Sequence, residues 1–457
     1  MGSPFPVRMI NGSIFPQEQG KCGFLCSWRG VFIIEEKEKN MFLDKGEKAM
    51  AAGEYGPGIQ KCMDYLIKFG EAFGAEKMAK ISSAHTMPKE PVELLREMTE
   101  GAAGTGAFTT LHAAMSAFSP HNWKEMGIPE TFASAELDLY NQRRDVYTKL
   151  GFIQTYTCLP MLVGNIPNKG DYISWIGSGA QLLANSLFGA RCNRDGTVIN
   201  LASAITGRAP LHGLFLDENR HAQVVVRFEG LDFGKLTHAD LGAIGYYVGA
   251  KAQNRNVVMD GIPVRLDIDQ IKYMMAPLAV SGAVSICHVV GLTPEAPTLE
   301  AALGNREAEE VITVGRKEIK ESMDQYAWKD EEVDMAVFGC PHLSISEIKV
   351  MAELLREKKL KDNKRLWAGM PFQHYFLAEE MGLAKIIEDA GGVFASACMA
   401  TIPDSPIPDG VKVIATNSFK AAHYITRFSK GRVKVVLGDM DKCIDAVTAN
   451  HRKGGNS

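Results

Sequence analysis

A chain of 457 residues, 46% hydrophobic and 23% charged, is too long for one hydrophobic core and has the balance of a soluble globular protein of two or three domains. Its 50 basic and 54 acidic residues leave a net charge of -4, and no basic stripe with interleaved aromatics is present, which excludes a general affinity for nucleic acid or anionic membrane. Nine cysteines in this length exclude a disulfide scaffold, and no CxxC pair marks a zinc finger or a thioredoxin-type site. Cys22 and Cys26 are the closest pair, with nothing nearby to complete a metal site.

Residues 1–40 mix Gly, Pro and the charged run "EEKEKN" and read as an N-terminal extension. "MGSPFPVRMI" holds no apolar segment of the signal-peptide kind, and Pro6 stands where a myristoylation signal needs Ser or Thr, so a cytoplasmic location is expected. Residues 44–78 predict helices broken at Gly53, at Gly56–Pro57–Gly58 and at Gly70, leading into a strand, "AKISSAH", that ends in Ser82, Ser83 and His85. The stretch 151–220 alternates Gly- and Pro-containing loops with a helix over 176–188; so many Asn, Arg, Ser and Gly residues among apolar ones fit either a polar cavity wall or ordinary turns. The most membrane-like stretch, 276–292, is short, contains Pro277, Gly282 and His288, and reads as buried core.

From 331 onward strands and helices alternate clearly. "VDMAVFG" is a buried strand, and 344–361 an amphipathic helix with Ser344 and Glu347 spaced as a capping box. A strand over 365–370, a helix over 371–392, strands over 393–400 and 411–416, a helix over 418–428, a strand over 433–440 and a final helix follow. This alternation predicts an α/β protein with a mainly parallel sheet covered by helices on both faces. The expected division is 1–40, an α/β region of more than one subdomain over 41–330, and a C-terminal α/β domain over 331–457.

Ligands of such sheets bind beyond the carboxyl ends of the strands. There the sequence places Cys340 with His342 after one strand, Cys398 at the end of another, and Asn417, Ser418 and Lys420 after a third. Lys420 at a helix N-terminus suits a carboxylate or phosphate, and Arg191 and Arg194 in "GARCNRDG" suit a bidentate clamp; the alternative for each is a solvated surface charge.

Taken together, "SSAH", "YTCLP", "LLANSLFGARCNRDG", "AITGRAPLHGLFLDENR", "CHVVGLTPEA", "VFGCPHLSISE" and "TNSFKAAHY" resemble the aconitase X family in its large, catalytic part, from about residue 41 to about 445 and in the family's order. The resemblance implies an aconitase-like fold, with several α/β domains around a central cleft, and an iron–sulfur hydro-lyase. The family's activities include dehydration of cis-3-hydroxy-L-proline in bacteria and of phosphomevalonate in archaea. It implies Cys158, Cys340 and Cys398 as cluster ligands. Three thiolates on a 4Fe–4S cubane leave one iron open as a Lewis acid for a departing hydroxyl, while a 3Fe–4S form, which lacks that iron, and a 2Fe–2S form are also compatible with the cysteines. The anion-handling residues implied are Ser83, His85, Asn185, Ser186, Arg191, Asn193, Arg194, Ser418 and Lys420. His288 and His342 are candidates to orient the substrate or protonate the departing oxygen, or else are satisfied supporting histidines. Cys22, Cys26, Cys62, Cys192, Cys287 and Cys443 fall outside the cluster positions.

The chain departs from the family pattern at several points. "WIGSGA" replaces Trp-x-Glu-Ser-x-Ala, so Gly177 stands where the family has a carboxylate; Met161, Ser396–Ala397 and Phe419 are further changes. Family members also need a small swivel domain, for which the matched length leaves no room, so a separate small subunit is the expected partner and a source of the proton acceptor. The expected function is dehydration of a small anionic hydroxy acid, cis-3-hydroxy-L-proline first and phosphomevalonate second. A diverged pathway-specific lyase or isomerase and a non-catalytic cluster-binding protein are the alternatives.

Overall fold

Strands Val393–Ala395, Arg365–Gly369, Met335–Phe338, Val413–Thr416 and Lys434–Leu437 lie side by side in that order, all parallel, as the C-terminal sheet. The computed structural model describes residues 41–87, 89–102, 104, 106–115, 118–263, 265–398 and 406–450, all within one compact unit, Lys39–Ser457. The extension over 1–40, with Cys22 and Cys26, lies outside the described residues. A second parallel sheet runs Cys287–Val289, Val257–Met259, Val224–Phe228, Glu310–Val314, and a third runs Phe108–Leu111, Ser83–Thr86, Ile173–Trp175. The chain thus adopts the α/β class with mainly parallel sheets that the alternation predicts.

Element boundaries differ where packing overrides local signals. The helix Pro57–Ala72 runs through Gly70 without a break, because the space a side chain would fill is taken by Met41, whose methyl lies 3.0 Å from the Cβ position. The helix expected over 344–361 stops at Leu355, and Lys358–Leu360 instead pairs as a strand with Thr448–Asn450. The helix expected over 371–392 is two, Phe372–Glu380 and Leu383–Asp389.

One apolar core joins side chains of all three sheets, including Ile173, Trp175, Val224, Val226, Met335 and Val337. Within it lies the helix Ile268–Ser281, buried on nearly every side from Ile271 to Ala279. A largely apolar helix too short to span a bilayer is an interior helix; the second half of this one and the buried strand Cys287–Val289 account for the hydropathy of 276–292. Among the described residues no helix is long and apolar enough to cross a membrane.

The order of the C-terminal sheet fixes where a ligand sits. The chain enters at Met335–Phe338, adds two strands on one side, then returns to add Val413–Thr416 and Lys434–Leu437 on the other. The segments leaving Phe338 and Thr416 therefore diverge and open a crevice at their carboxyl ends. Gly339 makes the first turn, with φ 92°; a Cβ there would lie 2.1 Å from the Gly369 carbonyl oxygen, so only glycine fits.

A buried ion cluster holds the following loop. Lys272, with no exposed surface, pairs with Glu347, lies 3.0 Å from Asp269, and donates to the His342 carbonyl at 3.1 Å. Burial disfavours its ammonium, but the Glu347 and Asp269 carboxylates outweigh that and hold it above a lysine's ordinary range. Ser344 caps the helix Ile345–Leu355: its hydroxyl accepts from the Glu347 amide at 3.2 Å and donates to Asp269 at 2.6 Å, while its own amide donates to Glu347 at 2.8 Å. Lys272→Met strands two buried carboxylates and is expected to destabilise the protein by about 3–5 kcal/mol, against about 1 kcal/mol for Ser344→Ala. Thermal unfolding of the two variants beside wild type checks that order.

Candidate active site

The carboxyl ends of two sheets meet on one cavity of about 410 Å³. From the three-stranded sheet come Met87, His112 and the segment Ile176–Ser178, each directly after its strand. From the C-terminal sheet come Gly339, Cys340 and His342 after one strand, Cys398 after another and Lys420 after a third. Cys158 and Arg194 join them from loops. Six of the residues singled out in the sequence are therefore brought together: Cys158, Cys340, Cys398, His342, Arg194 and Lys420.

Hydrogen bonds between distant segments set the cysteines in place. The His342 amide donates to the Cys158 sulfur at 3.3 Å, and the His342 ring nitrogen Nε2 lies 3.3 Å from the Ala397 carbonyl oxygen. The Cys398 amide donates to the Ala113 carbonyl at 3.2 Å. Ser418 caps the helix Phe419–Phe428, accepting from the Ala421 amide at 3.1 Å, and donates its hydroxyl proton to the Cys340 carbonyl. Ser418 thus fastens the two sides of the crevice rather than facing a substrate.

Lys420 is 8% exposed. Burial works against its charge, but the sulfurs of Cys340 and Cys158, the Tyr424 phenol and the Cys398 sulfur hold it above a lysine's ordinary range, and no carboxylate is among these neighbours. His85 and His342 are enclosed, and burial pushes both down to about 3. His85 lies behind the cavity wall, its Nδ1 2.9 Å from the Thr110 hydroxyl and its ring 5.4 Å from that of His112.

Other expected site residues bond to backbone or side-chain groups away from the cavity. Asn185 donates to the Cys192 and Ser285 carbonyls at 2.8 and 3.0 Å and accepts from the Cys192 amide at 2.9 Å. Ser186 accepts from the Cys287 amide at 2.8 Å. Asn193 donates to the His212 carbonyl at 3.0 Å and accepts from the Leu214 amide at 2.7 Å. Ser83 donates to Asn165 at 2.6 Å and accepts from the Trp175 indole at 2.8 Å. The clamp expected of Arg191 with Arg194 is not formed: Arg191 pairs with Asp217 and donates to the Phe215 carbonyl at 2.8 Å, leaving Arg194 alone at the cavity. His288 sits in the four-stranded sheet with Nε2 2.9 Å from the Arg220 carbonyl oxygen, and it does not line the cavity. His112 is the residue that sequence reasoning missed; it follows the β-branched run "FTTL" at a strand's carboxyl end, the same position that marks Cys340.

Among the described residues no three Cys, His, Asp or Glu side chains converge on a single metal ion. A cubane makes no such demand, because each of its thiolates ligates a different iron. The wall offers three sulfurs around one space, an amide donor on one of them and a buried ammonium near all three. Amide donors and positive charge favour the thiolate form, so this donor set fits an iron–sulfur group. The remaining described cysteines contrast with it: burial pushes the thiols of Cys62, Cys192 and Cys287 up to about 12, and that of Cys443 upward as well, as for inert core thiols.

Models of the Aconitase X first, second and third domains match residues 40–218, 222–324 and 333–449 in series. The phosphomevalonate dehydratase large subunit of Methanocaldococcus jannaschii is 35% identical over 422 residues, covering 88% of this chain and 99% of that protein. The cis-3-hydroxy-L-proline dehydratase of Hypocrea jecorina is 29% identical over 419 residues, 88% of this chain and 68% of that protein. The crystal structure of Thermococcus kodakaraensis aconitase X in its holo-form matches with a TM-score of 0.76 and 32% identity, covering 89% of this chain and 100% of that one. With all three domains matched in order, the fold shared and the named relatives dehydratases, the chain belongs to the aconitase X family of hydro-lyases.

Proposed function

We propose that this chain is the catalytic subunit of a hydro-lyase that removes water from a small anionic hydroxy acid, acting with a small swivel-domain subunit. The observation that carries this reading is the convergence of Cys158, Cys340 and Cys398 on one cavity beside the buried ammonium of Lys420. The three cysteines would hold an iron–sulfur cluster, which when bound supplies a Lewis-acidic iron for the leaving hydroxyl. Lys420 and Arg194 supply positive charge for the anionic ends of the substrate. His342 ties the Cys158 and Cys398 segments together through its amide and ring.

As substrate we place phosphomevalonate ahead of cis-3-hydroxy-L-proline. The chain matches 99% of the M. jannaschii large subunit at 35% identity, against 68% of the Hypocrea protein at 29%. An acid with a carboxylate and a phosphate also suits two separated cations. The name of the M. jannaschii relative supports a small partner here.

Anaerobic purification with the small subunit, followed by visible and EPR spectra and an assay of water loss from both acids, tests the reading. Cys340→Ser is expected to lower iron content and visible absorbance; unchanged values would remove it from the ligand set. Lys420→Met is expected to retain the spectrum while raising KM about 10- to 100-fold, the worth of a charge-assisted contact. An iron-loaded complex that dehydrates neither acid overturns the substrate assignment.

A further inference from the structure

The helix Ser178–Ser186 points its N-terminus at the cavity, through Gly177 and Ser178 in the wall. The first N–H groups of any helix lack partners within it and carry a partial positive charge. Here the N-cap is Gly177, which brings no side-chain oxygen, and the structure shows no side-chain cap. The turn is open to whatever enters.

Two buried side chains close on the same turn. His112 is 4% exposed, and its Nδ1 accepts the Ala114 amide at 3.0 Å, so the ring's proton sits on Nε2. That Nε2 lies 3.0 Å from the Cβ position of Gly177, and no described residue accepts from it. His112 lines the cavity, so a group that enters there can accept from this N–H. Lys420 Nζ comes in one step further along the turn, 3.4 Å from the Cβ position of Gly179. Backbone N–H groups, an imidazole N–H and an ammonium thus face one small volume, and none of them is an acceptor.

We infer that the N-terminal turn of the helix Ser178–Ser186 is an oxyanion subsite, which takes a carboxylate or phosphate group of the substrate between His112 Nε2–H and Lys420 Nζ. The glycine at 177 is what opens it. In the family pattern that the sequence resembles a glutamate stands at this position, and a carboxylate on this turn would fill the space beside His112 and repel an anion. The glycine at 177 thus gives this corner its preference for an anion, and His112 becomes a determinant of which acid binds. The inference rests on the dehydratase reading only for the identity of the substrate; an anion site at this turn stands on the geometry.

The test separates the two. Inorganic phosphate is titrated calorimetrically into the anaerobically prepared complex with the small subunit, and its inhibition of dehydration is measured in parallel. Wild type is expected to bind phosphate and to be inhibited competitively. His112→Phe is expected to weaken phosphate at least tenfold and to raise KM while leaving the cluster spectrum unchanged. His112→Gln, which keeps an N–H donor, is expected to stay within about threefold of wild type. Gly179→Ala adds a methyl that meets its neighbours at ordinary contact, 3.4 Å from Lys420 Nζ and 3.6 Å from the Ala276 Cβ, so the protein folds while the subsite narrows; phosphate should again weaken at least tenfold. Absence of phosphate binding, or binding unaffected by His112→Phe and Gly179→Ala, overturns the subsite. Binding that follows these variants in a complex inactive on both acids upholds the subsite and overturns the dehydratase substrate assignment instead.

Discussion

Where two neighbouring parallel strands send their chains in opposite directions, the loops at their mouths cannot rely on each other for a hydrogen-bond ladder, and their backbone groups must be satisfied from elsewhere. In this chain that requirement falls on the segment from Gly339 to Ser344. The Ser418 hydroxyl satisfies the Cys340 carbonyl from the far side of the crevice. The Lys272 ammonium satisfies the His342 carbonyl from a helix of the middle region, and the His342 amide finds the Cys158 sulfur of the first region. Each bond that meets a local need also sets the distance between segments far apart in sequence. The arrangement of three cysteines from residues 158, 340 and 398 is a by-product of that accounting, which is why they share one cavity without a local motif such as CxxC.

Two buried lysines show how differently a charge is handled for structure and for chemistry. Lys272 is closed off by Glu347 and Asp269, so its field is spent inside the core. Lys420 is almost as buried, yet its close neighbours are sulfurs and an open cavity. A buried charge without a counter-ion is costly, and the neighbouring sulfurs of Cys158, Cys340 and Cys398 offset part of that cost. The remainder is available to an entering anion. In sequence the two residues look alike, each a lysine on an apolar helix.

This contrast marks what could be read before the structure. The alternation after residue 331 was legible because parallel strands and their covering helices carry strong, regular periodicity, and the Ser344–Glu347 cap stood out by spacing alone. Placing Cys340, Cys398 and Lys420 at strand ends needed only that periodicity and the rule for ligand position. Asn185, Ser186, Asn193 and Arg191 were not separable from binding residues, because a polar side chain in a Gly-rich, apolar context satisfies a carbonyl or an amide as readily as a ligand. His288 was obscured for a related reason: a histidine beside a cavity motif in sequence lies on a strand of a different sheet in space. The split of the helix over 371–392 and the early stop at Leu355 depend on tertiary partners, including the strand Thr448–Asn450, that no local window contains.

The exchange at position 177 follows from the same geometry. The cysteines depend on loops of the C-terminal sheet and on the 158 loop, whereas the turn at Gly177–Gly179 belongs to the three-stranded sheet and its own helix. A change there alters the size and sign of one corner of the cavity without touching a hydrogen bond that positions a sulfur. His112 is held from its other side by the Ala114 amide at the end of the neighbouring strand, and a side chain at 177 would press directly on its ring, whose Nε2 lies 3.0 Å from the Cβ position. The helix turn at Gly177–Gly179 and the loops that carry Cys158 and Cys340 thus hang from separate elements. A chain can retain Cys158, Cys340, Cys398 and Lys420 and still shift the acid it accepts, because the turn at Gly177–Gly179 and His112 hang from a different sheet.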